Sequence, residues 1–313
     1  MIICVSLNPA IDRRLRVARL KIGAVNRASE ALPMAGGKAA HVALAARVLG
    51  AEALWLGFLG GATGAFIERE LTARGLRVVA VKTRSTTREN LEIIDAAGAV
   101  TEVLEPGGAI APDELDALRA VFRELLSEAP ENAQVVLSGS LPPDVPTDFY
   151  AELIKTAHEA GCRVLLDTSG AALREGLKAA PDLVKPNRDE AAWLWGRPIT
   201  KSAAMLQAVQ HFLTIGADEV ALTLGEKGVW WMDGKDTQLV AVPPQVDVIS
   251  TVGCGDATLA GFAVGYERGL SAIETLRLAT ACGAANCRAA QPGRIDAAEV
   301  ARLLPQVVIR GVN

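Results

Sequence analysis

Residues 250–261 read Ser-Thr-Val-Gly-Cys-Gly-Asp-Ala-Thr-Leu-Ala-Gly, a glycine turn that runs directly into a helix-forming segment. Gly253 and Gly255 allow the backbone to turn tightly and to approach a ligand closely. A helix that begins here presents unpaired N–H groups and the positive end of its dipole, which can bind a phosphate without a lysine. The same field favours an ionised Asp256 that faces the phosphate as a base, but this carboxylate could equally cap the helix. The stretch predicts an anion site and leaves both roles open.

The rest of the chain alternates short apolar segments with segments of helical periodicity. This alternation is typical of right-handed βαβ units and of a mostly parallel sheet covered on both faces. Ligands of such sheets bind beyond the carboxyl ends of the strands, where the polar motifs of this chain fall. The predicted strands are 2–7, 53–58, 78–81, 134–138, 163–167, 183–185 and 219–224, and the predicted helices are 39–49, 113–128, 147–160 and 201–215.

Four further segments have the polar and apolar alternation of strands with one exposed face. They are residues 14–17, 24–27, 90–94 and 100–104. A small sheet with one apolar face needs a cover. We therefore expect these strands to project from the main domain, and we expect a homodimer to form through them.

Composition narrows the class of protein. A chain of 313 residues with 50% hydrophobic residues and a net charge of -4 is typical of one large α/β domain with a minor appendage. No extended basic surface is indicated, so nucleic acid is not an expected partner. The five cysteines and three histidines show no metal or redox spacing, which favours a reduced, cytoplasmic protein without zinc. We expect no membrane partner, since no apolar run reaches the ~20 residues of a membrane span and the N-terminus lacks a signal-peptide pattern.

Several motifs, in the same order, resemble those of the ribokinase-like carbohydrate kinases, in their phosphofructokinase B branch. The resemblance covers nearly the whole chain and rests on residues 8–12, 36–38, 87–90, 138–142, 187–190, 223–228 and 253–256. It implies a three-layer α/β/α fold with a mostly parallel central sheet. It also implies that residues 1–313 form a single kinase domain, with a small projecting β-sheet lid from about 12–35 and 87–106.

The resemblance implies a site for a phosphorylated sugar. Lys38 and Arg88 would neutralise the phosphate already on the sugar, Arg88 as a fork and Lys38 as a point charge. Arg27 would reach that phosphate across the dimer. His41 stands where relatives carry Asn, and Glu92 where many carry lysine, which leaves the identity of the sugar open. The implied substrate-binding residues are Asp12, Gly36, Gly37, Lys38, His41, Arg88, Asn90, Ser138, Gly139 and Arg27.

The same resemblance implies a nucleotide half that uses ATP and Mg²⁺. Asp256 would be the catalytic base, and Gly253, Cys254 and Gly255 would form the anion hole, with Cys254 in place of the usual alanine. Glu190, Asn187 and Asp167 would hold magnesium largely through water, as a hard ion that dehydrates reluctantly prefers. The implied ATP-binding residues are Lys185, Asn187, Thr223, Gly225, Gly228 and Asn286.

The sequence thus predicts an ATP-dependent kinase of fructose 1-phosphate or fructose 6-phosphate that produces fructose 1,6-bisphosphate. Kinases of tagatose 6-phosphate, of an unphosphorylated sugar or of a nucleoside are alternatives, and a catalytically silent sugar-phosphate sensor is an alternative of another class. The P-loop pattern Gly-x-x-x-x-Gly-Lys-Ser/Thr is absent, which excludes P-loop kinases. A dinucleotide-binding oxidoreductase is disfavoured, because the glycine turn lies late in the chain and lacks a third glycine.

Overall fold

The computed structural model describes residues 1–235 and 237–311, which fold into two sheets and ten α-helices within those ranges. The strands are β1 (Ile2–Ser6), β2 (Ala10–Val17), β3 (Glu30–Gly36), β4 (Ala53–Leu59), β5 (Arg77–Lys82), β6 (Arg88–Asp95), β7 (Val100–Leu104), β8 (Gln134–Ser138), β9 (Arg163–Asp167), β10 (Leu183–Val184), β11 (Glu219–Thr223), β12 (Val229–Asp233), β13 (Gln238–Val242) and β14 (Val308–Gly311). The helices are α1 (Lys38–Val48), α2 (Gly61–Ala73), α3 (Pro112–Ser127), α4 (Phe149–Glu159), α5 (Gly170–Leu177), α6 (Arg188–Trp195), α7 (Ser202–Ile215), α8 (Cys254–Glu267), α9 (Ala272–Cys287) and α10 (Ala297–Leu303).

The larger sheet has ten strands in the order β14-β13-β12-β11-β10-β9-β8-β1-β4-β5. Its strands run parallel from β5 to β11, and β12, β13 and β14 extend the sheet antiparallel. Successive residues of β1 point to opposite faces, so Ile2 and Cys4 join one core while Ile3 and Val5 join the other. Helices α1, α8 and α9 cover the first face and α3, α4 and α7 the second. The predicted three-layer α/β/α fold is confirmed.

The smaller sheet, called the lid sheet below, has the order β3-β2-β6-β7, with β2 and β6 parallel. One predicted strand is wrong. Residues 24–27 lie in an exposed loop, and the strand that pairs with β2 is β3. The Asn26 side chain explains the loop, because it bonds the backbone of Lys21 and of Ala24 and closes a turn. A short alternation of polar and apolar residues does not reveal such hydrogen bonds between a side chain and the nearby backbone.

Three features were not among the predicted elements: helix α2, the short helices α5, α6 and α10, and the antiparallel strands β12 to β14. Strand β12 contains Trp230 and Trp231, both buried, on opposite faces of the sheet. Within residues 1–235 and 237–311, no helix is both long and apolar enough to cross a membrane.

Candidate active site

A cleft of about 1800 Å³ lies between the carboxyl ends of the parallel strands and the lid sheet. Parallel strands end at one edge of the sheet, so the fold brings together residues that lie far apart in the chain, such as Asp12 and Asp256. Most of the residues singled out from the sequence line this cleft: Asp12, Gly37, Lys38, His41, Arg88, Asn90, Ser138, Gly139, Asp167, Lys185, Asn187, Glu190, Thr223, Gly225, Gly228, Gly253, Cys254, Gly255 and Asp256.

The glycine turn at the start of α8 forms one wall of the cleft. Gly253 is the N-cap residue and has a left-handed backbone, with φ of 79°. A Cβ added there would lie 2.7 Å from the Cβ of Pro292, so glycine is required for its conformation and for its surroundings. The first helical turn lines the cleft, and although the Cys254 N–H donates to the carbonyl of Thr251 at 3.3 Å, this end of the helix suits a phosphate.

Asp256 lies in the first turn of α8 and is buried. Within the described residues, its side chain accepts no hydrogen bond from the helix backbone, so it does not cap the helix. Instead, Asp256 Oδ2 lies 2.9 Å from Nδ1 of His41. The structure thus favours the base over the cap, the two roles that the sequence left open.

His41 joins Asp256 to the sugar end of the cleft. Its Nε2 lies 3.4 Å from Oδ2 of Asp12, so the ring bridges two carboxylates from α8 and β2. Burial alone would lower the pKa of His41, but the hydrogen bonds to Asp12 and Asp256 and their charges outweigh it and raise the pKa to about 10. We therefore describe His41 as an imidazolium at neutral pH, in which both ring nitrogens donate.

Asp12 is held from several sides. Its Oδ1 accepts a hydrogen bond of 3.0 Å from Asn90 Nδ2, and the backbone N–H of Gly37 donates to its Oδ2 at 3.4 Å. Burial would raise the pKa of Asp12, but the bonds from His41, Asn90 and Gly37 lower it overall. Gly36 itself does not line the cleft. A Cβ at Gly36 would overlap the Asp12 carboxylate, so this glycine makes room for the group that the sequence predicts to bind sugar hydroxyls.

Arg88 lies at the start of β6 and is half-buried. Its Nη2 and Nε donate to the carbonyl of Asn8 at 3.0 and 3.3 Å, and its Nη1 donates to the carbonyl of Glu105 at 2.6 Å. Asn8 in turn donates to Ser140 Oγ at 3.1 Å, in the loop that contains Ser138 and Gly139. A guanidinium has five N–H donors, so Arg88 can bond the carbonyls of Asn8 and Glu105 and still offer donors to an anion.

Lys38 lies with the acidic residues of the nucleotide half. Its Nζ is 3.0 Å from Asp167 Oδ1 and 3.7 Å from Glu190 Oε1, and Lys185 Nζ is 3.2 Å from Asp167 Oδ2. Burial would raise the pKa of Asp167, but the charges of Lys185 and Lys38 lower it. This differs from the prediction that Lys38 and Arg88 share one sugar phosphate. The ammonium is placed where it can reach a phosphoryl group between the two halves of the cleft.

The oxygen donors of Asn187 and Glu190 hold the start of helix α6. Asn187 Oδ1 accepts from the backbone of Glu190 at 2.9 Å, and Glu190 Oε2 accepts from the backbone of Asn187 at 2.8 Å, which forms a capping box at α6. Among the described residues, no three His, Cys, Asp or Glu side chains are arranged to hold a metal directly. Because Asp167 pairs with Lys38 and Lys185 and Glu190 accepts from the backbone of Asn187, these carboxylates would hold a magnesium ion only through its water, as this ion allows.

Besides Gly36, two predicted residues do not line the cleft. Arg27 is exposed in the loop between β2 and β3, and this chain provides no contact between it and the site. Asn286 is buried in α9, where its Nδ2 donates to the carbonyl of Val252 at 2.8 Å and its Oδ1 accepts from Gly293 at 2.9 Å. Its amide holds the glycine turn in place instead of facing a nucleotide.

Sequence reasoning missed a buried ion pair at the edge of the cleft. Arg14 donates to both carboxylate oxygens of Glu92, at 2.7 and 3.0 Å, and also to the carbonyl of Ala290. The pairing explains how the Glu92 carboxylate is accommodated at a buried position. Arg14 and Glu92 lie opposite each other on adjacent strands, but this is visible only once the β2–β6 register is known. The sequence alone therefore carries no direct signal of the pair.

Comparison with known proteins identifies the family. The model described as pfkB family carbohydrate kinase matches residues 2–297. The 1-phosphofructokinase of Rhodobacter capsulatus is 38% identical over 278 residues, 88% of this chain and 87% of that one. The tagatose-6-phosphate kinase of Staphylococcus epidermidis is 31% identical over 312 residues, 99% of each chain. The solved structure of Escherichia coli phosphofructokinase-2 in complex with fructose-6-phosphate has a TM-score of 0.88 at 28% identity and covers 97% of this chain and 98% of that one. The chain belongs to the pfkB family of carbohydrate kinases.

Proposed function

We propose that this protein transfers the terminal phosphoryl group of ATP to a hydroxyl of a fructose monophosphate and produces fructose 1,6-bisphosphate. One observation carries the proposal. A buried carboxylate, Asp256, lies in the first turn of the helix that follows the glycine turn, and His41 connects it to the sugar-binding group of Asp12 and Asn90. The proposed base, the proposed anion hole and the proposed sugar site therefore line one cleft.

In the proposed reaction, Asp256 accepts the proton of the attacking hydroxyl through the carboxylate oxygen that His41 does not engage. The N–H groups of the turn at Gly253 to Gly255 stabilise the charge that develops on the transferred phosphoryl group. Lys38 faces the same group and neutralises part of that charge. Magnesium, held through water by Asp167 and Glu190, would supply further charge neutralisation. Positioning by the cleft contributes much of the acceleration.

Arg88 supports the choice of a phosphorylated sugar. It is the cation at the lid end of the cleft, and its planar fork suits a phosphate. The names of the relatives favour fructose 1-phosphate over fructose 6-phosphate, since the 1-phosphofructokinase of Rhodobacter capsulatus is 38% identical. Tagatose 6-phosphate is the second candidate, because the kinase named for it aligns over 99% of each chain.

An ATP consumption assay on a panel of acceptors tests the proposal. The panel contains fructose 1-phosphate, fructose 6-phosphate, tagatose 6-phosphate, free fructose and adenosine, and phosphorus NMR identifies the position phosphorylated. We expect the highest kcat/KM with one of the fructose monophosphates. Binding of a sugar phosphate without any turnover would identify a sensor, and comparable kcat/KM on free fructose would identify a simple sugar kinase.

Replacing His41 tests the bridge between the two carboxylates. In His41→Ala, Asp12 and Asp256 lose the cation between them, and we expect kcat to fall by roughly 10²-fold, the loss that follows a small misplacement of reacting groups. His41→Asn restores the residue that relatives carry, so it should retain more activity than His41→Ala. Equal activity of His41→Ala and the wild type would show that the bridge has no part in turnover.

The raised pKa of His41 also predicts a dependence of stability on pH. A group whose pKa is about 10 in the folded protein and about 6.5 when unfolded contributes all of its stabilisation below pH 6.5. That contribution declines as the pH rises and is gone above pH 10. We expect the wild-type Tm to fall more than that of His41→Asn between these pH values. Parallel curves by calorimetry would contradict the assignment of His41 as an imidazolium.

We further propose that two copies associate through the lid sheet. Strand pairing places Leu15, Ile93 and Val103 on the face opposite Asp12 and Asn90, and Val103 is 53% exposed. Sedimentation at micromolar concentration should show a dimer, and Ile93→Glu should produce a monomer because it buries a charge at the interface. Ile273→Glu, on the remote helix α9, is the matched control and should remain dimeric. A monomeric wild type would contradict this proposal.

A further inference from the structure

Two cysteines lie side by side in the wall of the cleft, although 33 positions separate them in the chain. The Sγ atoms of Cys254 and Cys287 are 3.0 Å apart. Both residues are partly exposed, whereas Cys4, Cys162 and Cys282 are buried. The proposed phosphoryl transfer uses neither thiol, so this pair is free for other chemistry.

Backbone hydrogen bonds join the end of α9, which contains Cys287, to the segment before the glycine turn. Cys254 is the first residue of α8 and Cys287 is the last residue of α9. The carbonyl of Cys287 accepts hydrogen bonds from Ile249 at 2.7 Å and from Ser250 at 3.2 Å, just before the glycine turn. A disulfide needs its sulfurs about 2.05 Å apart. The two sulfur atoms therefore need to approach by about one ångström, a movement to which the start of α8 and the end of α9 contribute together with the side chains.

One hydrogen bond joins the two thiols, and either sulfur can donate in it. Such a bond favours ionisation of the accepting sulfur, while the donating sulfur keeps its proton. Since the thiolate is the nucleophile in thiol chemistry, the accepting sulfur attacks and the donating sulfur resolves.

We propose that Cys254 and Cys287 form a dithiol site that reacts with a peroxide and becomes an intrachain disulfide across the anion-binding turn. The thiol that ionises releases its proton, its thiolate attacks one oxygen of hydrogen peroxide, the O–O bond breaks, and a sulfenic acid and a hydroxide ion form. The hydroxide takes the proton of the second thiol, whose sulfur attacks the sulfenic sulfur. A second hydroxide leaves as the S–O bond breaks, and it takes up the proton released at the start. In total, two thiols are oxidised to one disulfide and one hydrogen peroxide is reduced to two waters.

The disulfide changes the part of the site that holds the transferred phosphoryl group. Cys254 is one residue from Gly253 and two from Asp256, so pulling its side chain toward α9 turns the N–H groups of the first helical turn away from the cleft. Loss of one preorganised donor of this kind lowers kcat by about 10²–10³-fold. We expect a loss of that order on complete oxidation, and its reversal by dithiothreitol.

The test treats the full-length wild type and Cys287→Ser with hydrogen peroxide and follows two readouts. Peptide mapping by mass spectrometry of the unreduced protein should reveal a Cys254–Cys287 crosslink in the wild type, and this readout does not depend on the protein being a kinase. Activity, normalised to each untreated protein, should fall and recover with dithiothreitol in the wild type but not in Cys287→Ser. Cys162→Ala, which removes a buried cysteine elsewhere, should behave as the wild type does.

Two results would overturn the proposal. One is a wild type in which no Cys254–Cys287 crosslink forms at peroxide concentrations that oxidise surface thiols. The other is a crosslink without any loss of turnover, on a substrate that the wild type phosphorylates. Phenylarsine oxide, which binds two adjacent thiols, adds a check on the reduced wild type that does not depend on a variant folding. Phenylarsine oxide should protect Cys254 and Cys287 from oxidation by peroxide. Oxidation of these two thiols at the same rate with and without the reagent would also contradict the proposed dithiol site.

Discussion

Asp256→Asn should lower kcat by about 10²–10⁴-fold, the loss expected when a general base is removed. ATP and sugar phosphate should still bind within a few fold of the wild type, because the amide has the same shape and the glycine turn stays in place. The structure sharpens the expectation, since Asp256 has one oxygen on His41 and makes no capping bond to the helix. Steady-state kinetics and calorimetric binding constants on the same preparation would measure the two effects separately.

A matched control distinguishes a base from a helix cap. Asp296 is the N-cap residue of α10, and its Oδ1 accepts from Ala298 at 2.7 Å and from Glu299 at 3.3 Å. Asp296→Ala should cost about 1 kcal/mol of stability and leave kcat unchanged, as the loss of an exposed cap does. If Asp256→Asn showed the same pattern, a lower stability with normal turnover in a folded protein, then Asp256 would not be the base.

Arg88→Ala should remove most of the preference for phosphorylated fructose over free fructose. A hydrogen bond to a charged group contributes ~1.5–3 kcal/mol, so losing a bidentate contact should lower kcat/KM on the phosphorylated substrate by roughly 10²–10⁴-fold. The value for free fructose should change far less. Because Lys38 pairs with Asp167 and Glu190, we now assign this discrimination chiefly to Arg88.

Arg88 also makes structural contacts, so the experiment needs controls that separate phosphate binding from an effect on the fold. Its bonds to the carbonyls of Asn8 and Glu105 also hold the lid, so Arg88→Ala could act through the fold alone. Loss of the lid contact would reduce activity on free fructose and on its phosphates by the same factor. Arg88→Lys keeps the charge without the fork, and Arg13→Ala removes a lid cation that does not line the cleft. Equal losses on all substrates would contradict phosphate recognition by Arg88.

Much of the fold could be read from local pattern, because each signal is carried by neighbouring residues. Strands β8 and β9 begin and end where apolar segments predict them, and both are fully or almost fully buried. The glycine turn is equally local, since Gly253 has the left-handed backbone of the N-cap residue and the helix begins at the next residue, Cys254. The error at residues 24–27 also has a local cause, because a side-chain bond from Asn26 competes with the strand pattern.

The sequence by itself determined the family, the order of the motifs and the position of a glycine turn next to Asp256, because these depend on residues adjacent in the chain. The tertiary structure alone decided how these groups act on one another. It placed His41 between Asp12 and Asp256, paired Lys38 with Asp167, and brought Cys287 to Cys254. The physical reason is that such contacts join distant segments through the carboxyl ends of parallel strands and the ends of packed helices. Their distances, and the pKa of His41 that follows from them, are set by packing and leave no periodic signal in the sequence.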